Sequence, residues 1–344
     1  MNSTIFVNDF AVLGKQLTAW LHDEHSCEKL TEAMRKSVEN NDWFSVETIR
    51  QAISAIAYEM LDKQNLQQWL SRYSISQKSD RVGVVMAGNI PLVGFHDFLS
   101  VLAAGHFFVG KLSRKDKFLL PAITEILFSI NSEWREFIHF ADELPIDELD
   151  KLIATGSDAT ANYFQKISTK IKDKLIRHNR KSVAILSGEE TKEELSGLVF
   201  DICSYFGLGC RNVSLLYVPA DYDWNPLLTL LSEQKKMLQN NSYKHNYNYQ
   251  KAILSMNKET FIDASALLLI ENKGLQAPLS VLHYSYYNKK EDVLKLVSQQ
   301  DEQLQCIVAS NKISEKFCNF GKTQFPQLND YADGVDTMRF LTTN

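Results

Sequence analysis

The chain has 344 residues, enough for about two domains. Hydrophobic residues make up 44% and charged residues 23%, an ordinary globular composition that predicts a sizeable core. The 37 basic residues are outweighed by 42 acidic ones, for a net charge of -5, which argues against a nucleic-acid-binding surface across the whole chain.

The five cysteines, Cys27, Cys203, Cys210, Cys306 and Cys318, are odd in number and contain no CxxC pair. Neither a zinc site nor a disulfide framework follows from them, and no metal is predicted. The N-terminal residues lack a basic stretch followed by an apolar one, so no secretory signal is expected. The reducing cytoplasm is the predicted compartment. Residues 90–110 are largely apolar but contain His96, Asp97 and His106. An Asp alone costs about 2.5–3.5 kcal/mol at a membrane helix centre. A buried helix followed by a buried strand fits this stretch better, and no membrane span is predicted.

Residues 1–80 read as a helical, mostly polar segment with Ile49, Ile53, Ile56 and Met60 at helical spacing. No chemistry is visible there. His22, His25 and Cys27 cluster, but without a second ligand group a solvated helix end is the better reading. A βαβα pattern then begins: strand Arg81–Met86, helix Leu92–Ala104, strand Phe107–Leu112 and helix Lys117–Ile130. Such alternation marks a parallel sheet with helices on its faces. Residues 137–140 and 149–154 are further strand candidates, and a helix is expected over 158–171. The basic run Arg177-His178-Asn179-Arg180-Lys181 marks a domain boundary near residue 180.

Beyond it come a strand over 182–186, a helix over 192–206 and a strand over 213–218. A helix near 226–238 is followed by an Asn/Tyr-rich run, 239–250, read as an exposed loop. Residues 261–271, 279–286 and 305–309 are later strands, and 291–299 a helix. Cys210 therefore falls on a loop between a helix and a strand, bounded by Gly207 and Gly209, which are expected to take positive φ. A lone cysteine is as a rule a small buried hydrophobe. A rigid, open loop with nearby backbone N–H groups is instead what a nucleophile needs.

Three stretches occur in register: VGVVMAGNIPLVGFHDFLSVLAAGHFFVGKLS (82–113), Thr155-Gly156-Ser157, and GLGCRNVSLLYVP (207–219). Together they resemble the aldehyde dehydrogenase superfamily. Within it the likeness is to the fatty acyl-CoA reductases of the LuxC type, with FPQLNDYADGVDTMRFL (325–341) as a further marker. The resemblance spans residues 82–341. It implies an α/β fold of two Rossmann-like parallel domains after a helical N-terminal segment. The expected limits are 1–80 for that segment, 81–180 for the nicotinamide-binding domain and 181–344 for the catalytic domain.

The resemblance also implies roles. Cys210 would attack the thioester of an acyl-CoA, and a nicotinamide cofactor would reduce the acyl-enzyme to an aldehyde. Asn89 would donate to the oxyanion, although Asn before Pro91 is equally a turn residue. Lys111 would reach the adenosine ribose, and Gly156 and Ser157 would open a helix facing the pyrophosphate. After Lys111 the family's Pro-Ser-Glu is replaced by Leu112-Ser113-Arg114. Guanidinium pairs with phosphate where a carboxylate would repel it, so NADPH is the expected cofactor, the alternative being that Arg114 belongs to a solvated RKDK turn.

The superfamily's general-base Glu should fall near 177–181, where the chain reads RHNRK with no carboxylate. Water activation needs a base, so reduction is favoured over oxidation to an acid. His178 is a lesser candidate for proton relay. Rival readings are a hydrolysing aldehyde dehydrogenase and a non-catalytic scaffold of the same fold. Relatives of this type work with an acyl-protein synthetase, a candidate partner here, and the likeness implies strands that join subunits into a homo-oligomer.

Overall fold

A computed structural model describes residues 2–75, 78–156, 158–310, 313–314 and 317–343. The chain divides into two units, residues 1–179 with 326–344, and residues 180–325.

The first unit opens with helices α1 (Ser3–His22), α2 (Glu28–Asn40), α3 (Val46–Ala55) and α4 (Lys63–Leu70). The Asn2 side chain caps α1 by accepting from the Thr4 N–H, and Ser45 and Thr48 form a reciprocal capping box on α3. Phe6, Phe10, Leu13, Leu17 and Trp20 recur every three or four residues on α1 and are fully buried. This stripe shares one core with β1 (Arg81–Val85), α5 (Phe95–Ala103), β2 (Phe107–Lys111) and α6 (Leu119–Ile130). The N-terminal helices thus cover one face of a sheet, and truncating Phe10 to Ala would cost about 3–5 kcal/mol.

The unit continues through α7 (Trp134–Phe137), β3 (Ile138–Phe140), β4 (Lys151–Ala154), α8 (Asp158–Ile167) and β5 (Asp173–Ile176). Its five strands are parallel in the order β3-β2-β1-β4-β5. The order reverses at β1, which pairs with β2 on one side and β4 on the other. Ligands of doubly wound sheets bind at such a switch point, beyond the carboxyl ends of the strands. β5 is a short strand that no apolar run announces.

The second unit holds β6 (Lys181–Ile185), α9 (Lys192–Cys203), β7 (Val213–Pro219), α10 (Asn225–Ser232), α11 (Asn241–Met256), β8 (Ile262–Asp263), β9 (Leu268–Glu271), β10 (Val281–Tyr287), α12 (Lys290–Gln299) and β11 (Leu304–Val308). Its sheet runs β11-β6-β7-β10-β9-β8, parallel except for the β8–β9 pair. Thr191 and Glu194 make a capping box at the start of α9, whose Leu198, Val199 and Ile202 are buried.

Several expectations are corrected. Residues 239–250 are no loop: α11 runs through them from Asn241, capped by Asn240, with Tyr243, Tyr247 and Leu254 on its buried side. Their hydroxyls carry polar atoms inward only because partners await them. Tyr243 donates to the Ala266 carbonyl at 2.8 Å and Tyr247 to Asp263 at 2.5 Å. The run 261–271 is broken into a hairpin at Ala264–Leu267, where Ser265 has φ +71°. α9 ends at Cys203, before the expected Phe206.

From Pro326 the chain packs with the first unit, ending in α13 (Thr337–Thr342). Tyr331 explains this. Its hydroxyl accepts from the Trp69 indole N–H at 2.7 Å and lies 2.7 Å from that of Tyr73, which donates to Asp336. Among the described residues no helix is long and apolar enough to cross a membrane.

Candidate active site

In the first unit the chain leaves β1 through Ala87-Gly88-Asn89-Ile90-Pro91 and turns sharply at Leu92, whose φ is +56°. A left-handed Leu costs about 1–2 kcal/mol. The Asp116 carboxylate offsets this by accepting the Leu92 N–H at 2.7 Å. Burial pushes the Asp116 carboxyl up to about 6, against the hydrogen bond from Leu92, and its Oδ1 has no partner. A Cβ on Gly88 would lie 2.5 Å from Ser113 Oγ, so glycine is what lets the loops after β1 and β2 touch.

Asn89 is exposed on the first loop. Lys111 ends β2, and its Nζ donates to the Asp142 carbonyl. Ser113 accepts at its carbonyl from the Asp116 N–H and at its hydroxyl from the Lys115 N–H. Arg114 is exposed at the tip of that turn. Gly156 follows β4 directly, and a Cβ there would press on Thr160 at 2.9 Å, so the turn lies tight against the start of α8. Ser157 falls outside the described residues. Asn89, Lys111, Ser113, Arg114 and Gly156 thus share the carboxyl edge of one sheet, around its switch point. A dinucleotide fits this edge on two counts: glycine-lined loops allow close backbone approach, and a cation stands at the β2 turn.

Arg177, at the end of β5, is buried. It pairs with the buried Asp97 of α5 and donates to Thr155 Oγ1 at 3.1 Å and Thr337 Oγ1 at 2.8 Å. A buried cation therefore stands in the stretch where the superfamily's carboxylate is expected. His178 is exposed, and its backbone N–H donates to Asp333.

Cys210 belongs to the second unit, half-buried in a turn just before β7. The approach to it is unusual. Tyr205, Phe206 and Gly207 are three consecutive left-handed residues, with φ of +50°, +58° and +77°. Gly207 takes positive φ as expected, but Gly209 does not. The two aromatic residues carry the strain instead, and Asn212 holds it. The Asn212 amide donates to the carbonyls of Asp201 and Ser204 at 2.9 Å each, and its oxygen accepts the Gly209 N–H at 2.8 Å. One buried side chain thus ties the end of α9 to the Cys210 turn. From the sheet, the Ser182 hydroxyl donates to the Cys210 carbonyl.

No sequence motif assigns a role to Asn212 or Ser182. A polar residue directly before an apolar β run was the available signal for Asn212, while Ser182 had none. Upstream on α9, Asp201 accepts from the Gly321 and Thr323 N–H groups and the Thr323 hydroxyl, and burial pushes it up to about 6. Beside the loop lies a cavity of about 150 Å³ lined by Cys203, Phe206, Gly209, Asn212, Ser214 and Tyr243. Burial pushes the Cys203 thiol up to about 12, so it stays protonated near neutral pH.

No protein-family model matches the chain. It is 25% identical over 243 residues to a long-chain acyl-protein thioester reductase of Aliivibrio fischeri, across 66% of this chain and 48% of that protein. The chain thus spans about half the length of the curated relative it matches. Among solved structures, an aldehyde dehydrogenase of Bacillus cereus in complex with NAD+ superposes with TM-score 0.66 at 14% identity, over 92% of this chain and 75% of that one. An aldehyde dehydrogenase of Physcomitrella patens, in complex with succinate, gives TM-score 0.61 at 13% identity, over 88% and 73%. The chain has the fold of the aldehyde dehydrogenase superfamily, and in sequence it resembles the LuxC-type reductases within it.

Proposed function

We propose that the protein is a nicotinamide-dependent acyl thioester reductase that works through Cys210. The Cys210 thiolate attacks the thioester carbonyl carbon of an acyl-CoA. The bond to the departing sulfur breaks, and coenzyme A leaves as a thiolate that takes its proton from water. One thioester replaces another, so the exchange is nearly balanced and the barrier is one of positioning and charge. Asn89 supplies a side-chain donor and Cys210 its backbone N–H to the oxyanion, each worth about 2.7–4 kcal/mol. Bound reduced nicotinamide supplies the hydride that turns the acyl group to aldehyde, with Cys210 leaving as thiolate.

The observation that carries this reading is the fixing of Cys210. Its carbonyl is held by Ser182 and its turn by Asn212, whereas burial raises the Cys203 thiol to about 12 and keeps it protonated near neutral pH. Arg177 supports reduction over hydrolysis, because a buried guanidinium paired with Asp97 cannot deprotonate water. Lys111, Ser113, Arg114, Gly156 and Ser157 are assigned to the cofactor, with NADPH preferred over NADH through Arg114. The relative's name places its acyl group on a protein. An acyl group delivered by a partner synthetase is therefore a second donor besides acyl-CoA.

The test is cofactor oxidation across a series of acyl-CoA lengths from about C2 to C18. Turnover should vanish in Cys210→Ser and persist in Cys203→Ser. The reverse pattern would place the nucleophile elsewhere. With acyl-CoA and no reduced cofactor, acid release should be slow after one acylation.

A further inference from the structure

We propose that the end of α2 sets the cofactor preference by holding the turn that carries Arg114, with Asn40 and Asn41 as positioning residues. The inference rests on the reading of Arg114 as the partner of the 2′-phosphate of NADPH. The Asn40 side-chain amide donates to the Arg114 carbonyl at 3.0 Å, and that of Asn41 to the Lys115 carbonyl at 3.2 Å. These bonds cross 74 residues of sequence, from the helical N-terminal segment to the β2 turn.

Asn41 is itself built in. It is buried, its N–H donates to the Ser37 carbonyl at 3.1 Å, and its Oδ1 accepts the Trp43 N–H at 3.1 Å. With Oδ1 taken, its amide hydrogens have to point at the β2 turn, which settles the orientation of the side chain. Asp116 ties the same turn, with its N–H on the Ser113 carbonyl and its carboxylate accepting the Leu92 N–H. The backbone at Arg114, Lys115 and Asp116 is therefore anchored residue by residue, while the Arg114 guanidinium stays exposed. A planar fork on an anchored backbone loses less freedom on pairing with phosphate than one on a free loop. This gives the N-terminal helices a part in ligand choice besides covering the sheet.

The experiment is steady-state kinetics on the full chain with tetradecanoyl-CoA and either NADPH or NADH. The comparison is between wild type, Asn40→Ala, Asn41→Ala and the pair. The NADPH:NADH ratio of kcat/KM should fall about tenfold in the pair, the size of one lost neutral hydrogen bond, through a raised KM for NADPH. Acylation of Cys210 without cofactor should not change. In an Arg114→Ala background the Asn substitutions should have no further effect on the ratio, because they act through that residue. A well-folded pair variant with the wild-type ratio overturns the inference. So does an equal loss in the Arg114→Ala background, which marks a merely structural role. If Asn41→Ala does not fold, the exposed Asn40 carries the test alone. A wild type with no preference for NADPH would sink the Arg114 reading itself, a different failure seen before any Asn variant is made.

Discussion

The Ser182 hydroxyl donates to the Cys210 carbonyl at 2.9 Å while accepting the Cys306 N–H at 3.0 Å. One fully buried oxygen thus links the start of β6, strand β11 and the thiol-bearing turn. Ser182→Ala would remove both the hydrogen bond to the Cys210 carbonyl and the acceptor of the Cys306 N–H. Displacements of about 1 Å in a reacting group can cost on the order of a hundredfold. Acylation of Cys210 should slow by roughly tenfold to a hundredfold, measured by stopped-time quenching, with the KM for cofactor unchanged. An unaltered acylation rate would show that the turn holds without the hydroxyl.

Asn212 is expected to matter more for stability. Its loss strands the Gly209 N–H and two carbonyls at the end of α9, beside a turn of three left-handed residues. Asn212→Ala should destabilise by about 3 kcal/mol or more in urea denaturation. Asn212→Asp should be at least as harmful, since a carboxylate would face those carbonyls. A loss below about 1 kcal/mol would be within the range of an ordinary surface substitution and would contradict the role given to this residue.

Asp116 carries a pH signature. Its folded pKa, raised by burial to about 6 from 3.8, means that the folded state binds its proton more tightly than the unfolded chain. Stability from this group is therefore greatest below the unfolded pKa and falls as pH rises towards 6. Asp116→Asn keeps an oxygen for the Leu92 N–H and removes the buried charge. Its stability relative to wild type should climb between pH 4 and 6, by at most ~3 kcal/mol. Denaturation curves at several pH values check this, and a pH-independent difference would mean that the carboxylate is solvated. Asp201, also pushed up to about 6, adds a slope of the same sign that is common to both proteins.

Much of the architecture was legible because apolar runs bounded by glycine and proline mark buried parallel strands. The strands at 81–85, 107–111 and 213–219 show this well. α11 was not legible, because two of its three buried residues are tyrosines and its first turns are rich in Asn, Lys and His. The return of residues 326–344 to the first unit is fastened in part by the Tyr331 hydroxyl, bonded to the Trp69 indole and the Tyr73 hydroxyl, partners more than 250 residues apart in sequence. Candidate site residues could be named from motifs. Of those that hold them, Ser182 and Asp116 act through buried hydrogen bonds that no local pattern announces, and Asn212 shows only as a polar residue before an apolar run.

On the proposed function, cofactor choice turns on Arg114. A charged hydrogen bond contributes about 1.5–3 kcal/mol, so NADPH should exceed NADH in kcat/KM by roughly tenfold to a hundredfold. Arg114→Glu should erase or invert that preference and leave acylation of Cys210 intact. Kinetics with both cofactors decide it. An unchanged ratio in the variant would show that the guanidinium faces solvent with the ligand bound.

The central claim, that Cys210 takes the acyl group, is tested most directly by intact-mass spectrometry after mixing the protein with tetradecanoyl-CoA and no cofactor. Wild type and Cys203→Ala should each gain the mass of a single acyl group, lost again when NADPH is added, and Cys210→Ala should gain none. An adduct that persists in Cys210→Ala, or no adduct on wild type with any acyl-CoA, would contradict the account.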